Sequence, residues 1–379
     1  MNQPKKGEFR STVYTNRPDY ADFDAPSKFM AIESIIAKRL TQYPNAVCSY
    51  SGGSDSDIML DLIERVRGIF ALSPVKYVFY DTGLEMQAIK QHVEDTARKY
   101  GVEIQVVRPE KGIVTATREH GVPFISKIVS AGIEALQKKG LPLSIAREYE
   151  LADDKAAKRA ELKERYPKAE AGINFLCSCN SAGEPRPNIQ LVISSNAFLL
   201  EFFEEYGLPS FQISSKCCDC CKKQPARKLE KDFKMVITGE RRDEGGMRSV
   251  PRSDSTSMCF QETSYGKYRL RPLFYVSDAD KAWYKEWYGL RYSDAYEIYG
   301  LKRTGCCGCS IAAGAVNDLK RIGAYEPKLE VAARRVFGQS YELREAYNAF
   351  KRDRMEAKKI AEAKSKEKLE GQEVMDGYG

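Results

Sequence analysis

The stretch AVCSYSGGSDSDIMLDL, Ala46 to Leu62, decides the reading of this chain. Ala46, Val47, Cys48 and Tyr50 form an apolar, β-leaning run that predicts a short buried strand. Ser51, Gly52, Gly53, Ser54, Asp55 and Ser56 follow as a small, glycine-rich turn. Beyond it Ile58, Met59, Leu62 and Ile63 recur at helical spacing. A strand, a loop of small residues and a helix make a cradle for phosphate. Paired glycines let the backbone approach the anion, and the N–H groups of the loop and of the helix start attract it.

No G-x-x-x-x-G-K-[ST] run is present, so this is not a Walker A loop. The six residues SGGSDS resemble the PP-loop, SGGxDS, of ATP pyrophosphatases and phosphoadenosine phosphosulfate (PAPS) reductases. The resemblance implies that Ser51, Gly52, Gly53, Ser54, Asp55 and Ser56 hold the phosphate or sulfate end of an adenine nucleotide, either ATP or a PAPS-like one, with Mg²⁺.

Outward from the loop the chain alternates strands and helices. Lys28 to Gln42 carries Phe29, Ile32, Ile35, Ile36 and Leu40 near helical spacing. Val75 to Tyr80 reads as a second strand ending in Asp81-Thr82-Gly83, Gln87 to Tyr100 as a helix, and Glu103 to Val107 as a third strand. Such alternation predicts an α/β fold, doubly wound on a mostly parallel sheet, with ligands at the carboxyl ends of the strands. SGGSDS and DTG both fall on that edge. The run from Tyr80 to Pro109 also resembles the PAPS-reductase family. Asp81 is read there as a ribose or metal contact, with helix capping as the equal alternative.

Met235 to Thr238 predicts a further strand, opening onto GERRDEGGMR, Gly239 to Arg248. Arginines among glycines at a strand's carboxyl end suit bidentate contacts to phosphate or sulfate. The spacing of Gly239, Arg241, Glu244 and Arg248 resembles the family's substrate loop. Asp55, Arg241 and Arg248 are the candidate catalytic residues, and Lys302 and Arg303, within GLKRTGC, are further anion contacts that the resemblance implies.

Eleven cysteines in a chain without an apolar leader point to metal or redox chemistry rather than to a disulfide framework. Seven fall in two clusters, Cys217, Cys218, Cys220 and Cys221, then Cys306, Cys307 and Cys309. Cys217-Cys218 with Cys306-x-x-Cys309 resembles the [4Fe–4S] signature of cluster-bearing sulfonucleotide reductases, with Cys220, Cys221 and Cys307 as alternates. A Cys₄ zinc site is the competing reading. With only His92 and His120 present, histidine-based sites have little support. One family feature is missing. Sulfonucleotide reductases attack sulfate sulfur with a cysteine in an ECGxH-like tail, whereas this chain has no cysteine after Cys309 and ends EGQEVMDGYG.

These readings divide the 379 residues into an arm (1–27), a PP-loop domain (28–310) with a charged helical insertion (126–180), and a charged helical extension (311–379). No run of 18 apolar residues predicts a membrane span, and a cytoplasmic location is the expectation. The formal charge of +7, from 60 basic and 53 acidic residues, suits an anionic partner and allows a nucleic-acid substrate. The first functional reading is sulfur transfer, with ATP adenylation and pyrophosphate release, as in members of the wider family that act in DNA phosphorothioation or tRNA thiolation. A sulfur-donor protein is then the partner. The alternatives are a sulfonucleotide reductase working with thioredoxin, and a zinc-stabilised nucleotide-binding scaffold.

Overall fold

A computed structural model of the chain describes residues 18–185, 197–244, 259–263, 266–312 and 314–376. The described residues form two compact units. The first takes residues from 18–112, 220–307 and 321–329, and the second from 113–219, 308–320 and 330–376.

The first unit is built on a six-stranded sheet. Its strands are β1 (Ala46–Ser49), β2 (Lys76–Tyr80), β3 (Ile104–Val107), β4 (Met235–Thr238), β5 (Phe260–Thr263) and β6 (Lys267–Leu270). They lie in the order β3-β2-β1-β4-β6-β5. All neighbours are parallel except β5 and β6, which form an antiparallel edge. This is the doubly wound, mostly parallel sheet that the alternation predicts. The order reverses at β1, whose two neighbours are β2 and β4, with Ser49 opposite Thr238 in register. Such a switch point leaves a crevice beyond the strand ends, where open α/β sheets hold their ligands.

Three helices are held close to the sheet by their apolar faces: α1 (Ala25–Gln42), α2 (Ser54–Phe70) and α3 (Gln87–Tyr100). In α1, Phe29, Ile32, Ile36 and Leu40 are buried, and in α2 so are Ile58, Met59, Leu62, Ile63 and Val66. On one face of the sheet Val47, Val78 and Val236 make a buried cluster, joined by Tyr80, Val107, Leu229 and Phe233. Strand alternation sends Cys48 to the opposite face, where it is fully buried.

The buried faces of α1 and α2 are not wholly apolar. Lys28 of α1 is 5% exposed and pairs with Asp280 at 2.5 Å. Asp280 also caps the helix Asp278–Trp287, accepting from the Ser277 N–H and Oγ at 2.8 Å each. Asp57 and Asp61, one turn apart on α2, are buried as well. Tyr50 donates to Asp57 at 2.6 Å, and Tyr100 and Tyr284 donate to the two oxygens of Asp61 at 2.6 Å. These bonds give each carboxylate the partners that burial requires.

The second unit is helical and includes much of the stretch read as an insertion. Its helices Lys127–Lys139 and Glu170–Leu176 pack through glycines. A Cβ at Gly132 would fall 2.3 Å from the Phe175 ring, and one at Gly172 would fall 2.4 Å from Leu141. Phe124, Phe202, Phe203, Tyr347 and Phe350 form its aromatic core, the last two from the helix Pro327–Asp376. Among the described residues, no helix is long and apolar enough to cross a membrane.

The Lys28–Asp280 pair yields a test. Burial alone would raise the Asp280 carboxyl, but Lys28 and the Ser277 bonds hold it below its ordinary value. The pair's stabilisation is therefore complete above the unfolded carboxylate pKa of about 3.9 and is lost as pH falls through the lower folded value. Lys28→Met leaves a buried carboxylate without its cation, and urea unfolding at pH 7 is expected to show a loss of about 3 kcal/mol. The gap between variant and wild type should narrow as pH falls below the unfolded carboxylate pKa of about 3.9 and on through the lower folded value.

Candidate nucleotide site

The loop after β1 is shaped by its glycines. Gly52 has φ +67°, and a Cβ there would stand 2.9 Å from Ile89 Cγ2 of α3. Both constraints exclude a side chain. Gly53 is the N-cap of α2 with φ −91°, which any residue tolerates. Space is what limits it, because a Cβ would stand 2.9 Å from Thr304 Oγ1 and 3.2 Å from both Tyr296 Oη and Ser51 Oγ. The serines tie the turn together. The Ser51 N–H donates to Ser56 Oγ at 3.2 Å, and Ser56 Oγ donates to the Gly53 carbonyl at 2.7 Å. The 17-residue helix α2 thus starts at the end of β1 with its positive dipole end at the crevice.

A cavity of about 510 Å³ opens at that point. Its floor is Ser49 of β1 and Thr238 of β4, and its walls are Ser51, Gly53, Ser54, Asp55 and Ser56 on one side and Gly239, Glu240, Arg241, Asp243 and Glu244 on the other. Asp278, Lys281, Tyr296, Lys302, Arg303 and Thr304 complete it. The volume lies within the range of small-ligand sites.

Its electrostatics centre on Asp55. Arg241 Nε reaches Asp55 Oδ1 at 2.9 Å, and Lys281 Nζ reaches the same oxygen at 2.6 Å. The Arg241 guanidinium, 4% exposed as a residue, also donates to Asp278 Oδ1 at 2.8 Å and to the Val276 carbonyl at 3.2 Å. Burial works against its charge, but Asp55 and Asp278 outweigh it and raise the guanidinium above its ordinary value. Lys281 also donates to Ser54 Oγ. The Ser54 N–H donates to Tyr296 Oη at 3.3 Å, and Tyr296 is bonded to Thr304 at 2.9 Å. Arg303 stands at the mouth, 73% exposed and 4.0 Å from Glu244. The start of α2 and the cations Arg241, Lys281, Lys302 and Arg303 supply hydrogen-bond donors for an anionic group, and the carboxylates of Asp55, Glu240, Asp243, Glu244 and Asp278 line the same cavity.

Of the residues singled out in the sequence, Ser51, Gly53, Ser54, Asp55, Ser56, Gly239, Arg241, Lys302 and Arg303 line this one cavity. Gly52 turns the loop just behind its wall. Arg248 lies outside the described residues. Asp81 is not among the lining residues. Its Oδ1 accepts the Gly83 N–H at 3.0 Å, and Lys90 and Arg108 stand 3.4 and 3.5 Å from Oδ2. Burial favours the neutral acid, but these groups hold the Asp81 carboxyl below its ordinary value. It organises the turn after β2 and does not cap α3, whose N-cap is Met86.

Lys281 and Tyr296 also belong to the cavity, as does Thr304 of the GLKRTGC run. One signal for Lys281 was available: it lies in the first turn of the helix Asp278–Trp287, where a cation opposes the helix dipole. The cysteines divide between the units. Cys220, Cys221, Cys306 and Cys307 belong to the first, and Cys217, Cys218 and Cys309 to the second. In the first unit Cys221 Sγ donates to the Lys111 carbonyl at 3.4 Å, and the Cys307 N–H donates to the Leu84 carbonyl at 2.8 Å. Among the described residues, no group of three or more His, Cys, Asp or Glu side chains is drawn together as a metal site.

Residues 45–136 match the family model described as the phosphoadenosine phosphosulfate reductase domain. The match begins at β1 and includes the loop, in agreement with the resemblance carried by SGGSDS, and over these residues the chain is similar to that domain. Over 75 residues the chain is 36% identical to an uncharacterized protein of Methanocaldococcus jannaschii, a stretch that covers 20% of this chain and 15% of that protein. Among solved structures it is similar to a PAPS reductase from Candida auris in a phosphate complex. The identity there is 14%, the coverage 73% of this chain and 87% of that one, and the TM-score 0.37. It is also similar to an NH₃-dependent NAD synthetase from Campylobacter jejuni, at 11% identity, 84% and 94% coverage and a TM-score of 0.32. Likenesses at this level say nothing of what the present chain binds.

The glycine geometry is testable on its own. Gly53→Ala suits the backbone but places a methyl group against Tyr296 and Thr304. Thermal stability should change by no more than about 1 kcal/mol, while calorimetric affinity for inorganic pyrophosphate should fall at least about tenfold, or 1.4 kcal/mol.

Proposed function

We propose that the cavity at the β1–β4 switch point binds ATP with its phosphates along Ser51–Ser56, and that the enzyme adenylates an acceptor for sulfur transfer, releasing pyrophosphate. The observation that carries this reading is the convergence of the loop, Arg241, Lys281, Lys302 and Arg303 on one cavity. In the reaction, an acceptor oxygen bonds to the α-phosphorus while the bond from it to the bridging oxygen breaks. Pyrophosphate leaves with the electron pair. The charge that grows on the leaving group meets the start of α2 and the cations. Because Arg241 and Lys281 are already fixed by Asp55, little reorganisation accompanies that charge, which is the condition for electrostatic stabilisation. Asp55 is a positioning residue in this scheme. Sulfur from a donor then displaces AMP from the activated acceptor.

Its carboxylate is committed to Arg241 and Lys281, so no Mg²⁺ is assigned to Asp55. The [4Fe–4S] ligand set of Cys217, Cys218, Cys306 and Cys309 rests on the sequence pattern. No step is routed through a cluster.

Two measurements test the reading. Incubation with α-labelled ATP and a nucleic-acid or protein extract should give AMP and pyrophosphate in equal amounts. Lys302→Glu combined with Arg303→Glu should raise KM about tenfold or more through lost phosphate contacts. Sulfite release from PAPS with thioredoxin, and no pyrophosphate from ATP, would replace this function with a reductase. Separately, the cysteine pattern leads us to expect about four irons and four sulfides per chain after anaerobic purification, lost on Cys306→Ser. One zinc without iron would make the cysteines a structural clip.

A further inference from the structure

The start of α3 has no cap of its own. Its N-cap is Met86, whose side chain makes no capping bond, and its first turn holds no acidic residue. The carboxylate that meets this turn comes from Glu326, 239 positions from Gln87 in the sequence. Both segments belong to the first unit. Glu326 Oε2 accepts the Gln87 N–H at 2.8 Å, and Oε1 accepts the Ala88 N–H at 3.2 Å. A carboxylate in this place satisfies two free N–H groups and faces the positive end of the helix dipole. The next residue of the turn is Ile89, and a Cβ at Gly52 would stand 2.9 Å from its Cγ2. Glu326 therefore fixes the turn on which the loop Ser51–Ser56 rests.

The same carboxylate holds a second part of the site. Tyr299 Oη donates to Glu326 Oε1 at 3.0 Å. The Tyr299 ring stacks on Tyr325, with centroids 4.3 Å apart and planes 7° from parallel. The backbone beside Tyr299 is tied down as well. Arg321 donates to the Gly300 carbonyl at 2.8 Å, and Tyr325 Oη donates to the Ile298 carbonyl at 3.4 Å. Gly300 turns here with φ +67°, and Lys302, Arg303 and Thr304 follow closely. Those three line the nucleotide cavity, as does Tyr296 before the turn. The Arg303 side chain is 73% exposed, so its aim depends on the backbone that carries it.

We propose that Glu326 is a positioning residue of the nucleotide site: it joins the first turn of α3 to Tyr299, and so sets the loop Ser51–Ser56 and the backbone of Lys302 and Arg303 at one spacing. The proposal rests on the nucleotide reading of that cavity. Glu326 itself is not among the lining residues, and its effect runs through backbone that is. Its charge gives the test a sign. A carboxylate near an anion site repels the anion, so charge alone would make its removal strengthen binding. Loss of positioning weakens binding.

Calorimetry with inorganic pyrophosphate and hydrogen exchange read by mass spectrometry, both on the full chain well below its melting temperature, separate the two. Glu326→Ala should lower pyrophosphate affinity about tenfold and speed amide exchange over residues 298–304 by about tenfold or more. Glu326→Gln keeps an acceptor for Tyr299 and Ala88 and should bring affinity back to within about threefold of wild type. Tyr299→Phe should weaken binding about threefold and add little on top of Glu326→Ala, since both remove the same bond. Asp95→Ala removes an exposed carboxylate elsewhere on α3 and should stay within about twofold. Circular dichroism checks each fold, and if Glu326→Ala fails to fold, Tyr299→Phe decides. Unchanged or tighter binding by folded Glu326→Ala, or unchanged exchange over 298–304, would overturn the role of Glu326 and leave the nucleotide reading standing. Pyrophosphate that does not bind the wild-type chain would overturn the nucleotide reading, and this role with it.

Discussion

The Arg241–Asp55–Lys281 ion triad is the constraint on which the first unit's site depends. Asp55 opens α2, Arg241 follows β4, and Lys281 sits in the first turn of the helix Asp278–Trp287. Three segments far apart in sequence are thereby fixed around one carboxylate. A buried guanidinium demands such compensation, and removing one partner of a buried pair costs about 3–5 kcal/mol. Because Asp278 and the Val276 carbonyl each take a further donor, the Arg241 guanidinium is held at all three of its nitrogens. The cavity walls are therefore set before any ligand arrives.

The same helix is anchored from below by polar contacts. Asp57 and Asp61 point into the protein rather than the cavity and are held by Tyr50, Tyr100 and Tyr284, with His92 3.0 Å from Asp57. Apolar packing alone leaves a helix free to slide by small amounts. Directional bonds to two carboxylates one turn apart limit both rotation and translation of α2. The precision of the loop thus follows from contacts that lie outside it.

Much of the first unit was legible in the sequence. The strand–loop–helix around SGGSDS, the alternation through β3 and the strand at Met235–Thr238 follow from short-range pattern. They stand where they were read, to within a residue or two at the ends. The antiparallel edge of β5 and β6 was not read. Its two strands of four residues, FQET and KYRL, mix polar and apolar positions without a strong period. Lys281 was missed as a site residue for a related reason. It reaches the cavity by tertiary contact and lies in no motif.

Taken alone, the sequence determined the α/β class, the phosphate-type loop and the basic residues that would accompany it. These follow from local backbone chemistry: glycines that permit close approach, alternation that buries one face, arginines at a strand end. The tertiary structure decided which of those residues share a cavity. Arg241 joined Asp55 while Asp81 went to its own turn, because chain reversal at the switch point brings the ends of β1 and β4 together. It also decided that Glu326, an ordinary acidic residue in the sequence, meets the first turn of α3 and Tyr299. Strand register and the orientation of a buried side chain are set by neighbours distant in sequence, and local pattern does not record them.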